Sequence, residues 1–186
     1  MSMMGCRIEE LYPLAILPNG SEQHIGHPWN DEKEEFAWHV LFFYPSDYTW
    51  VCPTELLDIN AKYDQFLELG AIVWGISTDS AHVHRNWIKD SLGGSLRFPL
   101  VSDRSGVLAS TFDCLAIEEG YADRCTAILD PQWNVRYYSL IDGHVGRNID
   151  EILRLISALQ ASDATNGKCV TCSGWKPGDE LITPGE

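Results

Sequence analysis

Residues Val40–Tyr44 form a continuous run of strand-forming apolar side chains, and the chain then passes through Pro45 and a short polar loop into Cys52-Pro53. A run of this kind, with no polar alternation, is the pattern of a central strand buried on both faces. Proline is favoured in the first turn of a helix, where its missing N–H was an orphan anyway, so a helix is predicted to start here with Cys52 at its N-cap. Unpaired backbone N–H groups and the positive end of the helix dipole meet at that point, and both favour a thiolate over a thiol. Thr49, three residues earlier in the loop, brings a hydroxyl that can donate to or accept from a small polar substrate. The competing reading is plain packing, because cysteine is among the most buried residue types and serves as a small hydrophobe.

The rest of the chain repeats the strand-to-helix switch. Leu56, Ile59, Tyr63, Phe66 and Leu67 recur at helical spacing, so the helix is predicted to run from Pro53 to about Leu69 and stop at Gly70, its apolar stripe facing the core. A second buried strand is predicted over Ala71–Ser77, and Thr78-Asp79-Ser80 can cap a helix through Trp87 and Ile88. After Gly93-Gly94, Phe98–Asp103 reads as a short edge strand and Gly106–Phe112 as a short helix. Cys125–Asp130 and Val135–Ile141 are two strands joined by the hairpin signal Pro131-Gln132-Trp133-Asn134. Asn148-Ile149-Asp150-Glu151 has capping-box spacing and opens a helix with Ile149, Ile152, Leu153, Ile156 and Leu159 on one side. Ahead of all this, residues 1–36 suggest a strand or hairpin around Pro18-Asn19-Gly20 and then an acidic loop, Asp31–Glu35.

Strands alternating with helices, then a hairpin and a closing helix, predict an α/β chain with a mixed central sheet and helices on both faces. A reactive cysteine at the end of the first inner strand makes the thioredoxin-like fold the leading choice. Thioredoxins carry Cys-x-x-Cys there, whereas this chain has Cys52-Pro53-Thr54-Glu55, so no second thiol waits in that turn. At 186 residues the chain suits one compact domain, residues 1–160, with a short tail, residues 161–186. Ala161–Lys168 reads as a flexible connection, which makes the tail mobile.

Charge and cysteine usage narrow the function. With 13 basic and 27 acidic residues the net charge is −14, which argues against nucleic acid and anionic membranes as partners. No run approaches the length of a membrane span and Met1–Glu10 lacks a signal-peptide pattern, so the expected location is the cytoplasm. The six cysteines (Cys6, Cys52, Cys114, Cys125, Cys169 and Cys172) are too sparse for a disulfide scaffold. Cys169 and Cys172 form a lone Cys-x-x-Cys in the tail, where redox use outweighs half of a zinc site. His24 with His27, and His82 with His84, lack the further ligands or the shared face that a metal site needs, and no metal or cofactor is expected. A sulfur that attacks as an anion also calls for a cation, and Arg124 and Arg147 flank the hairpin strands as candidates.

With these residues placed, the chain resembles a typical two-cysteine peroxiredoxin of the group containing the alkyl hydroperoxide reductase C subunit. The resemblance runs from about Trp38 to Pro184. It rests on Phe42-Phe43-Tyr44-Pro45 through Thr49-x-x-Cys52-Pro53-Thr54-Glu55, and on Ser77-Thr78-Asp79-Ser80, Pro99–Asp103, Ala122-Asp123-Arg124, Val145-Gly146-Arg147 and Trp175-Lys176-Pro177-Gly178. It implies that Cys52 is the peroxidatic cysteine, that Pro45 shields it, that Thr49 and Arg124 bind the peroxide oxygens, and that Glu55 with Arg147 steers Arg124. The implied reaction reduces hydrogen peroxide and small alkyl hydroperoxides through a Cys52 sulfenic acid. A tail cysteine of the partner subunit then forms an intersubunit disulfide, which a dithiol protein, thioredoxin-like or a flavoprotein reductase, reduces. That implies a homodimer at least, often a ring of five dimers.

Two departures from the family bear on this cycle. The family has Val-Cys-Pro shortly before its tryptophan, whereas this chain has Cys169-Val170-Thr171-Cys172. Counted forward from Arg147 the match reaches Cys169 without a gap; counted back from Trp175 neither cysteine fits. Cys169 is therefore favoured as the resolving thiol, with Cys172 receiving or shuttling the bond. Gly93-Gly94-Ser95-Leu96 matches the Gly-Gly-Leu-Gly of overoxidation-sensitive members only in part, and no Tyr-Phe helix follows the tail. Easy local unfolding around Cys52 and resistance to hyperoxidation are expected from that. A thiol–disulfide relay or redox sensor would use the same thiols, and a holdase chaperone would use the surface of the ring.

Overall fold

A computed structural model describes residues 3–8, 13–24 and 37–185. His27 and the acidic loop Asp31–Glu35 lie outside the described residues. The chain divides into two units, Met1–Arg147 and Asn148–Glu186.

The first unit is built on a seven-stranded sheet. In chain order its strands are β1 (Leu14–Ile16), β2 (Glu22–His24), β3 (Trp38–Phe43), β4 (Ala71–Ser77), β5 (Leu100–Ser102), β8 (Arg124–Leu129) and β9 (Val135–Ile141); β6 (Leu115–Ala116) and β7 (Tyr121–Ala122) make a separate ribbon. The spatial order is β2-β1-β5-β4-β3-β8-β9, with β3, β4 and β5 parallel and the outer neighbours antiparallel. All six residues of β3 are buried, as a parallel inner strand covered on both faces requires. Alternate residues point to opposite faces. Leu41, Phe43, Trp74 and Ile76 share a core with Leu108 of helix α4 (Val107–Thr111) and with Phe112, the residue that caps its C-terminus. On the opposite face Gly75 faces Leu56 of helix α1 (Cys52–Ala61), together with Leu100 and Phe98. An ideal Cβ on Gly75 would lie 2.6 Å from Leu100 Cδ2, so any larger residue at this strand position requires the Leu100 side chain to move.

Several expectations are corrected. β5 is an interior strand, because the β1–β2 hairpin around Pro18-Asn19-Gly20 adds antiparallel to it and covers its open edge. The helix expected over 53–69 is two: α1 ends at Ala61, Lys62 turns with ψ near 8°, and α2 spans Tyr63–Glu68. That turn shifts the face of the stripe, leaving Phe66 buried and Leu67 half exposed to solvent. Helix α3 (Ala81–Ser91) is capped by Ser80, whose side chain accepts from Val83 N. The β8–β9 hairpin is organised by Asp130 Oδ1, which accepts from Gln132 N and Asn134 N, while Trp133 takes a left-handed φ of 64°.

The second unit opens with helix α5 (Ile149–Ala164). It continues through residues 161–164, where the sequence suggests a flexible connection; the small and polar residues there still satisfy helical hydrogen bonds. Only half of the capping box forms: Asn148 Oδ1 accepts from Asp150 N and Glu151 N, whereas Glu151 turns to Arg154 instead of reaching back. Beyond α5 the tail has its own contacts. Val170 and Ile182 exchange both backbone hydrogen bonds at 2.9 Å, and Trp175 is buried with its Nε1 donating to the Asp179 carbonyl. Among the described residues, no helix is long and apolar enough to cross a membrane.

Candidate active site

The antiparallel register of β3 and β8 sets Phe42 opposite Thr126, so β8 begins where β3 ends. Arg124 is the first residue of β8, and the loop leaving β3 returns at Cys52. Cys52 is the first helical residue of α1 and Val51 is the N-cap, one residue earlier than the sequence suggests; Pro53 is accordingly the second helical residue. The thiol is 1% exposed. Glu55, three residues on, lies on the same side of the first turn.

Around Cys52 the charges are paired and buried. Arg124 Nη1 lies 3.6 Å from Cys52 Sγ and donates to Glu55 Oε2 at 2.6 Å, while Nη2 donates to the Gly143 carbonyl at 2.8 Å. Arg147 donates to Glu55 from its backbone N (2.8 Å), Nε (2.9 Å) and Nη2 (2.9 Å). Its Nη1 reaches the Cys125 carbonyl and Thr126 Oγ1, and its guanidinium lies 5.0 Å from the centre of the Phe42 ring. Arg147 thus ties α1 to β8 and β3 while fixing the carboxylate that holds Arg124. Burial pushes the Glu55 carboxyl up, but the hydrogen bonds and charge of Arg147, with the charge of Arg124, outweigh it and hold the group below its ordinary value. Two guanidiniums against one carboxylate leave one positive charge, which a thiolate at Cys52 would balance. Arg124 Nε is buried and has no hydrogen-bond partner among the described residues.

The loop between β3 and α1 is fixed separately. Pro45 is half-buried at its head, and Tyr48 takes a left-handed φ of 55°. Thr49 Oγ1 donates to the Ser46 carbonyl at 2.8 Å, so its hydroxyl hydrogen is committed and its lone pairs remain to accept. Asp47 anchors the loop from below. Its carboxylate accepts from Tyr44 Oη (2.9 Å) and meets His84 Nδ1 at 2.8 Å, and its backbone N donates to Asp79 Oδ2. Ser77 Oγ donates to the same Asp79 oxygen. His84 Nε2 meets the Val101 carbonyl at 3.1 Å, which can only accept, so Nε2 carries a hydrogen. A further proton is shared between His84 Nδ1 and Asp47, on whichever of the two it resides. Burial raises the Asp47 carboxyl above its ordinary value, against the lowering effect of the His84 hydrogen bond and charge.

Sequence reasoning named Cys52, Thr49, Arg124, Pro45, Glu55 and Arg147, and the structure brings Cys52, Glu55, Arg124 and Arg147 into one cluster. It missed Asp47 and His84. His84 lies two residues from His82 and on the opposite side of α3, as the spacing predicts: His84 is buried and His82 exposed. The signal for it was a histidine on the inward face of α3 together with a carboxylate in the loop motif. The tail thiols belong to the second unit: Cys169 is half-buried, with its Sγ 3.7 Å from Thr183 Oγ1, and Cys172 is exposed. All six cysteines are unbridged.

Cys52, first in a helix and 3.6 Å from a buried guanidinium, is an arrangement that a thiol-based oxidoreductase can use on an electrophile within reach of Arg124. The family model for the AhpC/TSA family matches residues 16–138. Peroxiredoxin-1 of Gekko japonicus is 37% identical over 174 residues, 91% of this chain and 84% of that protein. Alkyl hydroperoxide reductase C of Salmonella typhimurium is 35% identical over 155 residues, covering 83% and 82% of the two chains. In fold, the chain superposes on the reduced 2-Cys peroxiredoxin of Plasmodium vivax with a TM-score of 0.91, over 99% of this chain and 94% of that one, at 24% identity. The chain belongs to the AhpC/TSA family and is a peroxiredoxin, a thiol-dependent peroxidase with the thioredoxin-like fold.

Proposed function

We propose that this peroxidase reduces hydrogen peroxide and small alkyl hydroperoxides through Cys52, and that Cys169 of a second subunit resolves the oxidised sulfur. The observation that carries the reading is Arg124: one guanidinium nitrogen lies 3.6 Å from Cys52 Sγ, and Nε, buried and unpartnered among the described residues, is a donor suited to a peroxide oxygen. Cys52 thiolate attacks the terminal peroxide oxygen, the O–O bond breaks, and the departing oxygen leaves as water or alcohol once protonated; the sulfur becomes a sulfenic acid.

Ionisation alone does not make this fast. An ordinary thiol is already a few per cent thiolate at neutral pH, so complete ionisation gains only about 30-fold. The larger part comes from holding the peroxide in line and stabilising charge on the leaving oxygen. Arg124 supplies donors, and Thr49 Oγ1, its hydrogen given to Ser46, accepts from the protonated peroxide oxygen. Glu55 and Arg147 act through Arg124, and Pro45 limits the approach of water.

The sulfenic acid then condenses with the resolving thiol of the partner subunit, releasing water and forming an intersubunit disulfide. A dithiol protein, thioredoxin-like or a flavoprotein reductase, returns it to thiols. The assembly is a homodimer or a ring of dimers, located in the cytoplasm. The test is peroxide consumption coupled to a dithiol reductant: the wild type turns over and Cys52→Ser does not. Undiminished turnover in Cys52→Ser refutes the reading.

A further inference from the structure

A two-cysteine cycle needs one tail thiol, and this tail carries two. They differ in access: Cys169 is half-buried, Cys172 is exposed, and Cys52 is 1% exposed. They are also anchored independently. The Cys169 backbone is tied to the end of α5, its N donating to Thr165 Oγ1 and its carbonyl accepting from Ser162 Oγ. Cys172 opens a turn in which Trp175 N donates to the Cys172 carbonyl and Gly174 takes a φ of 71°. That turn is held by buried Trp175, whose carbonyl accepts from Arg154 Nη1. Only Val170 and Thr171 separate the two thiols.

Resting on the peroxidase reading above, we propose that Cys172 is a third redox-active cysteine that moves the disulfide off Cys52 into an intratail Cys169–Cys172 bond, and that this bond is what the dithiol reductant attacks. In the transfer, Cys172 thiolate attacks Cys169 Sγ of the Cys52–Cys169 disulfide. A Cys169–Cys172 bond forms, the old S–S bond breaks, and its electron pair leaves with Cys52 as a thiolate beside Arg124; the Cys172 proton passes to water. No net oxidation occurs in this exchange. The reductant then becomes a disulfide as Cys169 and Cys172 return to thiols.

Three features favour the transfer. Cys172 is three residues from the sulfur it attacks, so its effective concentration is that of an intramolecular group. Cys52 leaves toward a guanidinium already 3.6 Å from its sulfur. The exchange also carries the disulfide from a buried sulfur to an exposed one, where a protein dithiol can reach it.

The experiment oxidises reduced wild type and Cys172→Ser with one equivalent of hydrogen peroxide, without reductant, and quenches with an alkylating agent over time for non-reducing electrophoresis and peptide mapping. The expected wild-type course is a covalent Cys52–Cys169 dimer that decays to monomers containing Cys169–Cys172 and alkylatable Cys52. Cys172→Ser stops at the covalent dimer, and its turnover with a protein dithiol falls about tenfold or more. A wild-type dimer that persists with Cys172 alkylatable, or a bond joining Cys52 directly to Cys172, overturns the proposal. Absence of oxidised Cys52 in both proteins overturns the peroxidase reading itself, and this proposal with it.

Discussion

Replacing Glu55 by glutamine removes the one negative charge from a cluster in which Glu55, Arg124 and Arg147 have side chains only 2%, 2% and 5% exposed. The carboxylate takes one hydrogen bond from Arg124 and three from Arg147. Glutamine keeps the volume and one acceptor oxygen, but turns an amide N–H₂ toward a guanidinium that can only donate. Breaking a buried ion pair from one side costs about 3–5 kcal/mol, and the retained oxygen offsets part of that, so the expected loss of stability is about 2–4 kcal/mol. For a chain of this size that lowers Tm by roughly 5–15 °C. If about half of the lost energy was orienting Arg124, the rate with peroxide falls about 5- to 30-fold. Urea unfolding followed by tryptophan fluorescence, and stopped-flow oxidation of Cys52 by peroxide, measure the two effects. The pH dependence gives a third signature. Glu55 is held below its ordinary value in the folded state, so the wild-type advantage is complete above about pH 4.3 and is lost as pH falls through the lowered folded value. A Glu55→Gln protein within about 0.5 kcal/mol of wild type at pH 7, with a peroxide rate within about twofold, would refute the reasoning.

Two further substitutions test the supports of the site. His84→Ala leaves Asp47 with a buried, half-satisfied carboxyl and removes the donor to Val101, and is expected to cost about 2–4 kcal/mol in urea unfolding; a loss below about 0.5 kcal/mol would show that the loop does not depend on this pair. Gly75→Ala places a Cβ 2.6 Å from Leu100 Cδ2 in a filled layer, so an overpacking cost of about 1–3 kcal/mol is expected, and a variant as stable as wild type would mean that Leu100 has a second rotamer available.

Much of this architecture is legible in the chain because its signals are local. The unbroken apolar run at Val40–Tyr44 identifies a doubly covered strand, and Pro53 marks the start of α1 to within one residue. Ser80 and Asn148 mark the starts of α3 and α5 through cap chemistry that needs no tertiary partner. The placement of the Cys52 thiol follows from the same local grammar, and the motif around it consists of contiguous residues that carry the family resemblance by themselves. Local pattern misleads where a distant segment decides. Phe98–Asp103 has the length of an edge strand, and nothing within it reveals that Leu14–Ile16 pairs along its other side. Lys62 gives no sequence sign of a break, and residues 161–164 look like a linker yet remain helical.

For the site, the sequence alone determined which residue types are present and where the Cys52 thiol stands, because helix starts and strand runs are properties of contiguous residues. Only the tertiary structure decided what surrounds that thiol. Arg124 and Arg147 are candidate cations in the sequence, but only the β3–β8 register and the carboxylate of Glu55 bring Arg124 against Cys52 and Arg147 against Glu55, and only α3 places His84 between Asp47 and the Val101 carbonyl. Charge and hydrogen-bond balance in a buried cluster is a sum over segments 69 to 92 residues apart in the chain, and no local pattern carries that sum.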